Sequence, residues 1–390
     1  MRYTLALMLA AGICPLAVVG QVNLPEGFEV VEFLVSDAYA GTPRINNCGE
    51  IVVRKDRGEK ANIFLYDNGG IRTVAKARGE FTVALPDIND AGTIVWLRVV
   101  YGVPGSGRIV VLQDGRESVL GHRAGKGRIN NLGHVAWQRH RRSNGCHYLK
   151  SIMLYDGKSS RRIFRSRWTD QAAELNDQNQ ITWMHSDFCQ NPWIGDIRLY
   201  SDGEIIVLPS AHLQVAGPTI NNVPQVAWDA AGAIEIWQNG GTKKLVEAHA
   251  SVPSLNNLGD MYFAWWDLDR ALWQPWLYRV SAGEPVFHRL ADDDLWVGYG
   301  HINDWAEAVW RFDDGISNAG GIKYLRRIHT GDVEFDGDVD LIDFGAFAAC
   351  MTGPGRVDRL CDCRFLDIDH DGDVDLGDFA LFQNGFTGKK

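Results

Sequence analysis

Beyond its first twenty residues this 390-residue chain has no apolar run approaching the roughly 18 residues that a membrane-crossing helix needs, so no later span is expected. Helical periodicity of any length is also missing from residues 21–330, which argues against a helical bundle or helical repeat there. Net charge is nearly absent from the same stretch, with 35 acidic and 33 basic side chains, so nothing electrostatic favours nucleic acid. Gly-x-Ser-x-Gly elbows, phosphate loops and His-Glu-x-x-His motifs do not occur. Thiols and histidines at zinc-ligand spacing are lacking as well.

What is present begins with an export signal over residues 1–20: Arg2, an apolar stretch from Leu5 to Val19, and Gly20-Gln21 as a cleavage point. Export predicts a protein that is secreted or held at the cell surface or in the periplasm, where cysteines can oxidise. Six cysteines follow the signal. A bridge from Cys350 to Cys361 or Cys363 would close the segment between two acidic repeats, and Cys146 with Cys189 is a second candidate pair. Cys48 and the remaining thiol of Cys361-Asp-Cys363 have no assigned partner.

Residues 21–330 carry a nine-residue pattern seven times, beginning at Ile45, Ile88, Ile129, Leu175, Ile220, Leu255 and Ile302, with spacings of 43, 41, 46, 45, 35 and 47 residues. A period of this length suits a four-stranded propeller blade. In each copy an aliphatic residue ends a strand, Asn-Asn or Asn-Asp makes a tight turn, and a second strand begins. Gly stands in the turn of four copies; Asn179, Pro224 and Ala306 replace it in the others. Alternate residues after the turn, such as Ile94 and Trp96 or Val226 and Trp228, are expected to share one buried face. Seven such units predict an all-β seven-bladed propeller, with six or eight blades as the alternative. The strand Phe28 to Leu34 is expected to complete the last blade near Ile322 to Ile328 and fasten the ring.

Residues 331–390 differ sharply, with 14 acidic and 5 basic side chains. Two twelve-residue loops, 332–343 and 367–378, stand 35 residues apart with carboxylates at positions 1, 3, 5, 7, 9 and 12. These are the positions from which an EF-hand loop offers oxygens to Ca²⁺. The expected ligands are Asp332, Glu334, Asp336, Asp338, Asp340 and Asp343, then Asp367, Asp369, Asp371, Asp373, Asp375 and Asp378, for two Ca²⁺ ions. Position 7 is expected to coordinate through its main chain, and Gly337 and Gly372 permit the turn. Apolar residues then recur at helical spacing, Phe344, Phe347 and Met351 in one copy and Phe379, Phe382 and Phe386 in the other, before Thr352-Gly353 and Thr387-Gly388.

The tandem loop-helix unit resembles a dockerin type I domain, and the Ile-Asn-x-x-Gly-x-Val units resemble HAF-type extracellular propeller repeats. The first resemblance implies a small all-α calcium domain that docks a cohesin-like or other envelope protein. It departs from cohesin-binding dockerins at loop positions 10 and 11, where Leu341-Ile342 and Leu376-Gly377 replace small hydroxyl residues.

No convergent catalytic set emerges, because Asp90, Asp177 and Asp304 occupy the turn slot filled elsewhere by Asn. Binding is the better expectation: Trp266, Asp267, Asp269, Arg270 and Trp273 in the sixth repeat could stack on and fix a sugar of a polysaccharide. The basic stretch Arg139 to Arg142, with Arg161, Arg162, Arg165 and Arg167, could meet an acidic partner. The reading is a non-catalytic, exported, calcium-binding propeller for binding or assembly. The alternative is a propeller hydrolase or lyase acting on polysaccharide, its carboxylates drawn from loops around the channel, for instance Asp267, Asp269 and Asp292-Asp293-Asp294.

Overall fold

The computed structural model describes residues 22–386 except 37–38, 58–59, 68–69, 101, 104, 145–146, 166–168, 187–193, 213, 281–284, 293–294, 316–318, 329–330, 334–337, 354–360, 370 and 372. The expected signal (1–20), Cys146, Cys189, Arg167, Asp293, Asp294, Glu334, Asp336, Gly337, Gly372 and Thr387-Gly388 lie outside the described residues. So do the side chains of Arg141 and Arg142.

Seven four-stranded antiparallel sheets form the body, each built from strands consecutive in sequence except the last. Blade 5 is typical, with strands Val215–Ile220, Val226–Ala230, Ala233–Gln238 and Gly241–Val246. In blade 7 the strands Trp296–Ile302, Ala308–Asp313 and Gly320–Arg327 are completed by Phe28–Ser36, which pairs antiparallel with Gly320–Arg327. The ring is therefore fastened by its own N-terminal strand, as the hydrophobic pattern predicts.

Burial on the second strand of each blade departs from the expected single face. Ile94 and Trp96 are buried, and so is Val95 between them; Ala136, Thr182 and Ala227 are likewise buried between their flanking pairs. Each blade packs against a neighbour on both sides, so its middle strands have no solvent face and alternation disappears. Trp96, Trp137, Trp183, Trp228 and Trp310 are among the largest fully buried side chains.

The turn residues do more than close their turns. In every repeat the first Asn accepts a bond from the backbone N–H four residues on, as Asn46 does from Glu50 at 2.9 Å and Asn256 from Asp260 at 2.8 Å. Its amide also donates to the carbonyl of the equivalent Asn in the next blade: Asn46 to Asn89, Asn89 to Asn130, Asn130 to Asn176, Asn176 to Asn221, Asn221 to Asn256, Asn256 to Asn303, and Asn303 back to Asn46. A second circuit passes from each following backbone N–H to the next Asn or Asp side chain, through Asn47, Asp90, Asn131, Asp177, Asn222, Asn257 and Asp304. Of the turns lacking Gly, Asn179 and Ala306 adopt the same left-handed conformation, at φ 62° and 60°, as Gly133 at 75°. Pro224 cannot, because its ring holds φ negative.

Replacing Asn256 with Ala removes a buried donor and an acceptor together. The variant is expected to unfold about 1–3 kcal/mol more easily in a denaturant titration, the cost of leaving buried backbone groups unpaired.

Past the ring, α1 (Leu341–Cys350) and α2 (Leu376–Gly385) each open on a reciprocal capping box, Asp340 with Asp343 and Asp375 with Asp378. Phe347 and Phe382 fill the small core between them with Val339, Leu366 and Val374, whereas Phe344, Met351 and Phe386 remain largely exposed. A disulfide joins Cys350 to Cys363, one of the two expected pairings.

Candidate functional site

Both acidic loops fold back on their final aspartate. In the first, Asp343 accepts backbone N–H bonds from Val333 at 2.7 Å and Asp340 at 2.8 Å. In the second, Asp378 accepts from Ile368 at 2.6 Å, Asp369 at 3.1 Å and Asp375 at 2.9 Å. Equivalent positions thus hold each loop closed. Carboxylate oxygens of Asp367, Asp369, Asp371 and Asp378 gather within 4.8 Å of one another, as do those of Asp373, Asp375 and Asp378. In the first loop Asp338, Asp340 and Asp343 form the matching group, with Asp332 at the loop's start.

Oxygens on opposite sides of one Ca²⁺ stand about 5 Å apart, twice a Ca–O distance of 2.3–2.6 Å. These groups are therefore of the size and hard-oxygen chemistry that such an ion takes. Carboxylates this close also resist ionising together: desolvation, then Asp378, Asp371 and Asp375, push the Asp369 carboxyl above its ordinary range. At position 7 the side chains of Asp338 and Asp373 also lie within these oxygen groups.

The helical unit is fixed to the propeller. Cys48, in the first repeat's turn, is bonded to Cys361, in the 3₁₀ helix Cys361–Leu366, across 313 residues of sequence. Beside this staple the half-buried Arg364 pairs with the fully buried Glu307. The rings of Trp305 and Phe365 meet edge to face at 4.9 Å. Gly49, at φ 74°, leaves room for Arg364, because a Cβ there would fall on the Arg364 Nη1 atom.

A slot that sequence reasoning passed over supplies the channel. The residue just before each repeat's aliphatic position faces inward, and its chemistry varies from blade to blade: Arg44, Asp87, Arg128, Glu174, Thr219, Ser254 and His301. Its signal was variation inside a regular repeat, where charged residues replaced one another at a fixed position. Glu174 accepts from Arg44 at 3.2 Å, Lys126 at 2.5 Å and Arg128 at 2.9 Å. Burial raises the Glu174 carboxyl, but Arg128, Lys126 and Arg44 together hold it well below the usual carboxylate range. Burial, followed by the charge of Arg128, lowers Lys126 to about 7, with Glu174 opposing.

At one end the channel is rimmed by the Asn and Asp turns. Burial, more than its bonds from Asn47, decides the direction for Asp90, whose carboxyl is raised with help from Asp304 and Asp177. At the other end lies a cavity of about 360 Å³.

The sixth-repeat residues lie together on the hairpin of strands Met261–Asp267 and Leu272–Val280. Trp266 and Trp273 are a cross-strand pair, ring centroids 5.4 Å apart and both half-buried. Asp267 accepts from the backbone of Asp269 at 3.0 Å and Arg270 at 3.3 Å, which makes it the residue that shapes the turn. Arg270 pairs with Asp292, and Arg289 bridges Asp267 at 3.5 Å and Asp292 at 2.9 Å. Asp267, Asp269 and Asp292 are not among the residues lining the channel; among the described residues the carboxylates there are Asp87 and Glu174 with the turn aspartates. A turn between a blade's second and third strands does not reach the axis, which the innermost strand lines.

Arg139, Arg161, Arg162 and Arg165 are exposed on the second and outermost strands of blade 3. Blade 4 holds a pair that the sequence did not suggest: His185 Nδ1 lies 2.7 Å from Asp170, and both are buried under Phe164. Trp183 also donates to Asp170, at 3.2 Å, tying the pair into the core.

No protein-family model matches this chain, and no curated protein sequence matches it. Among solved structures it is similar to the β-propeller domain of the Trilobed protease from Pyrococcus furiosus, at a TM-score of 0.55 and 11% identity, covering 74% of this chain and 97% of that one. Streptogramin B lyase is similar at a TM-score of 0.53 and 12% identity, covering 77% and 98%. The acylaminoacyl peptidase of Pyrococcus horikoshii is similar at 0.51 and 13%, but the match spans only 51% of its length. At such identities the likeness is one of propeller fold.

Proposed function

We propose that this is an exported binding or assembly protein, a propeller that carries a dockerin-like module taking up two Ca²⁺ ions. The observation that carries the reading is the repetition of one carboxylate group, Asp338, Asp340 and Asp343 in the first loop and Asp373, Asp375 and Asp378 in the second, with the same backbone bonds to each final aspartate. Asp332, Asp338, Asp340 and Asp343 would hold the first ion, with Glu334 and Asp336, and Asp367 through Asp378 the second. The ions would supply charge balance and order, and take part in no reaction.

Assembly is supported by what the helices leave uncovered. Leu341 and Ile342 are 74% and 58% exposed and Leu376 is 72% exposed, at the two loop positions where the departure from cohesin-binding dockerins lies. Paired apolar side chains in water favour a protein partner over solvent, and their chemistry fits an apolar envelope protein better than a cohesin that reads hydroxyls. Calorimetric titration of the full chain should count two Ca²⁺, and Asp343→Asn and Asp378→Asn should each lose one. In calcium the chain should retain an envelope protein that Leu341→Asp/Leu376→Asp does not retain. A wild-type count of zero would sink the calcium reading.

The enzyme alternative keeps one specific support: Asp87 and Glu174 face a single channel at a slot where other blades carry Arg, Thr, Ser or His. Sugar release from an acidic polysaccharide, abolished by Glu174→Gln, would favour it.

A further inference from the structure

We infer that the channel mouth opposite the turn ring is a site for a small hydroxylated carboxylate, of which a hexuronic acid is the simplest representative. The inference rests on reading the propeller as a binding domain and names what it binds. Three cations, Arg44, Lys126 and Arg128, converge on the single carboxylate of Glu174. The next carboxylate, Asp87, stands 4.0 Å from Arg44 Nε and accepts the backbone N–H of Ile129 at 3.0 Å. The cluster therefore sets three cationic side chains, Lys126 the weakest of them, against two carboxylates in a largely buried setting.

His301 adds no charge, since burial and then Arg44 hold its imidazole well below the ordinary range. The lowered Lys126 ammonium is the response of a buried cation crowded by another, and an arriving anion relieves it. Arg44 Nε is buried and makes no hydrogen bond, its nearest carboxylate being Asp87 at 4.0 Å, so this guanidinium is only partly satisfied by the cluster.

Beside these groups lies the cavity of about 360 Å³, within the range of small-molecule sites. Its wall offers the hydroxyls of Thr42 and Ser254, the amide of Gln171 and the ring of Tyr299, which is 58% exposed. Hydroxyls, an amide and an aromatic face suit a sugar ring. An excess of at most one positive charge suits one carboxylate better than a dianion. Leu85 and Val252 in the same wall are held at φ 51° and 53°. Both fall in the bulges of their innermost strands, between Ala84 and Asp87 and between Ser251 and Ser254, and the β-branched Val252 is strained there.

Calorimetric titration of the full chain in calcium buffer, with glucuronate, glucose and inorganic phosphate as probes, tests this. Glucuronate should bind with an affinity that falls as salt rises, while glucose gives no heat. Arg44→Gln should weaken glucuronate about tenfold or more, the value of a charge-assisted bond. Glu174→Gln should tighten it, because the competing carboxylate is gone; a purely structural cluster gives no such gain. If Arg44→Gln does not fold, Lys126→Gln carries the same expectation. Absence of glucuronate binding, equal binding of glucose, or tighter binding of phosphate overturns the proposal. Calcium is counted in a separate titration, so failure of either reading leaves the other standing.

Discussion

Arg364→Ala is expected to destabilise the folded chain by about 3–5 kcal/mol, because it strands a buried carboxylate without its counter-charge. Glu307 is fully enclosed, accepting from Asn303 at 2.8 Å and from the backbone of Arg327 at 3.2 Å, with Arg364 as its cationic partner. Burial alone pushes its carboxyl up; Arg364, aided by these bonds, brings it below the ordinary value of 4.5. A carboxyl depressed in the folded state stabilises above its unfolded value, and that stability is lost as pH falls through the folded value. In Arg364→Ala the largest influence, burial, is opposed only by the bonds from Asn303 and Arg327, so the carboxyl moves up and the variant is penalised above pH 4.5 and relieved below it. The difference between the two proteins should therefore be largest near neutrality and shrink in acid, as thermal melts at several pH values can read. Glu307→Gln added to Arg364→Ala should recover part of the loss, since no buried charge remains. A pH-independent difference would mean that Arg364 acts through its packing on Phe365, whose ring it covers at 4.3 Å.

Calcium removal is expected to have a comparable effect on the C-terminal unit. A ligand that binds only the folded form stabilises by RT ln(1 + [L]/Kd), about 4 kcal/mol at a thousandfold excess over Kd. The small core of Phe347, Phe382, Leu366 and Val374 has little area to offset the repulsion of the surrounding carboxylates. Chelator should therefore lower the melting of this unit while leaving the propeller transition nearly in place, and excess Ca²⁺ should restore it. Near-ultraviolet circular dichroism separates the two, because the chain's tryptophans lie in the propeller part of the sequence and phenylalanines form the helical core. Unchanged melting in chelator would remove calcium as a source of stability. The disulfide Cys350–Cys363 closes a loop of 13 residues and limits how far the unit can unfold.

What the sequence by itself determined is whatever depends on neighbours a few residues away. Strand alternation, the Asn turns, the seven-fold period and the 35-residue offset between the acidic loops are local or periodic properties. They led to the blade count, to the strand Phe28–Ser36 as the ring's fastener and to α1 and α2 at matching positions. Tertiary structure alone decided the rest. Ring closure sets Asn303 against Asn46, residues 257 apart, so an amide read as a local turn element becomes a link between blades. The same closure turns one irregular slot into a channel in which Arg44 meets Glu174 across 130 residues. It pairs Cys48 with Cys361, which spacing could not, and it buries both faces of strands whose pattern suggested one. Local pattern constrains backbone conformation, whereas the partners of a charge or a thiol are set by which segments the closed ring brings together.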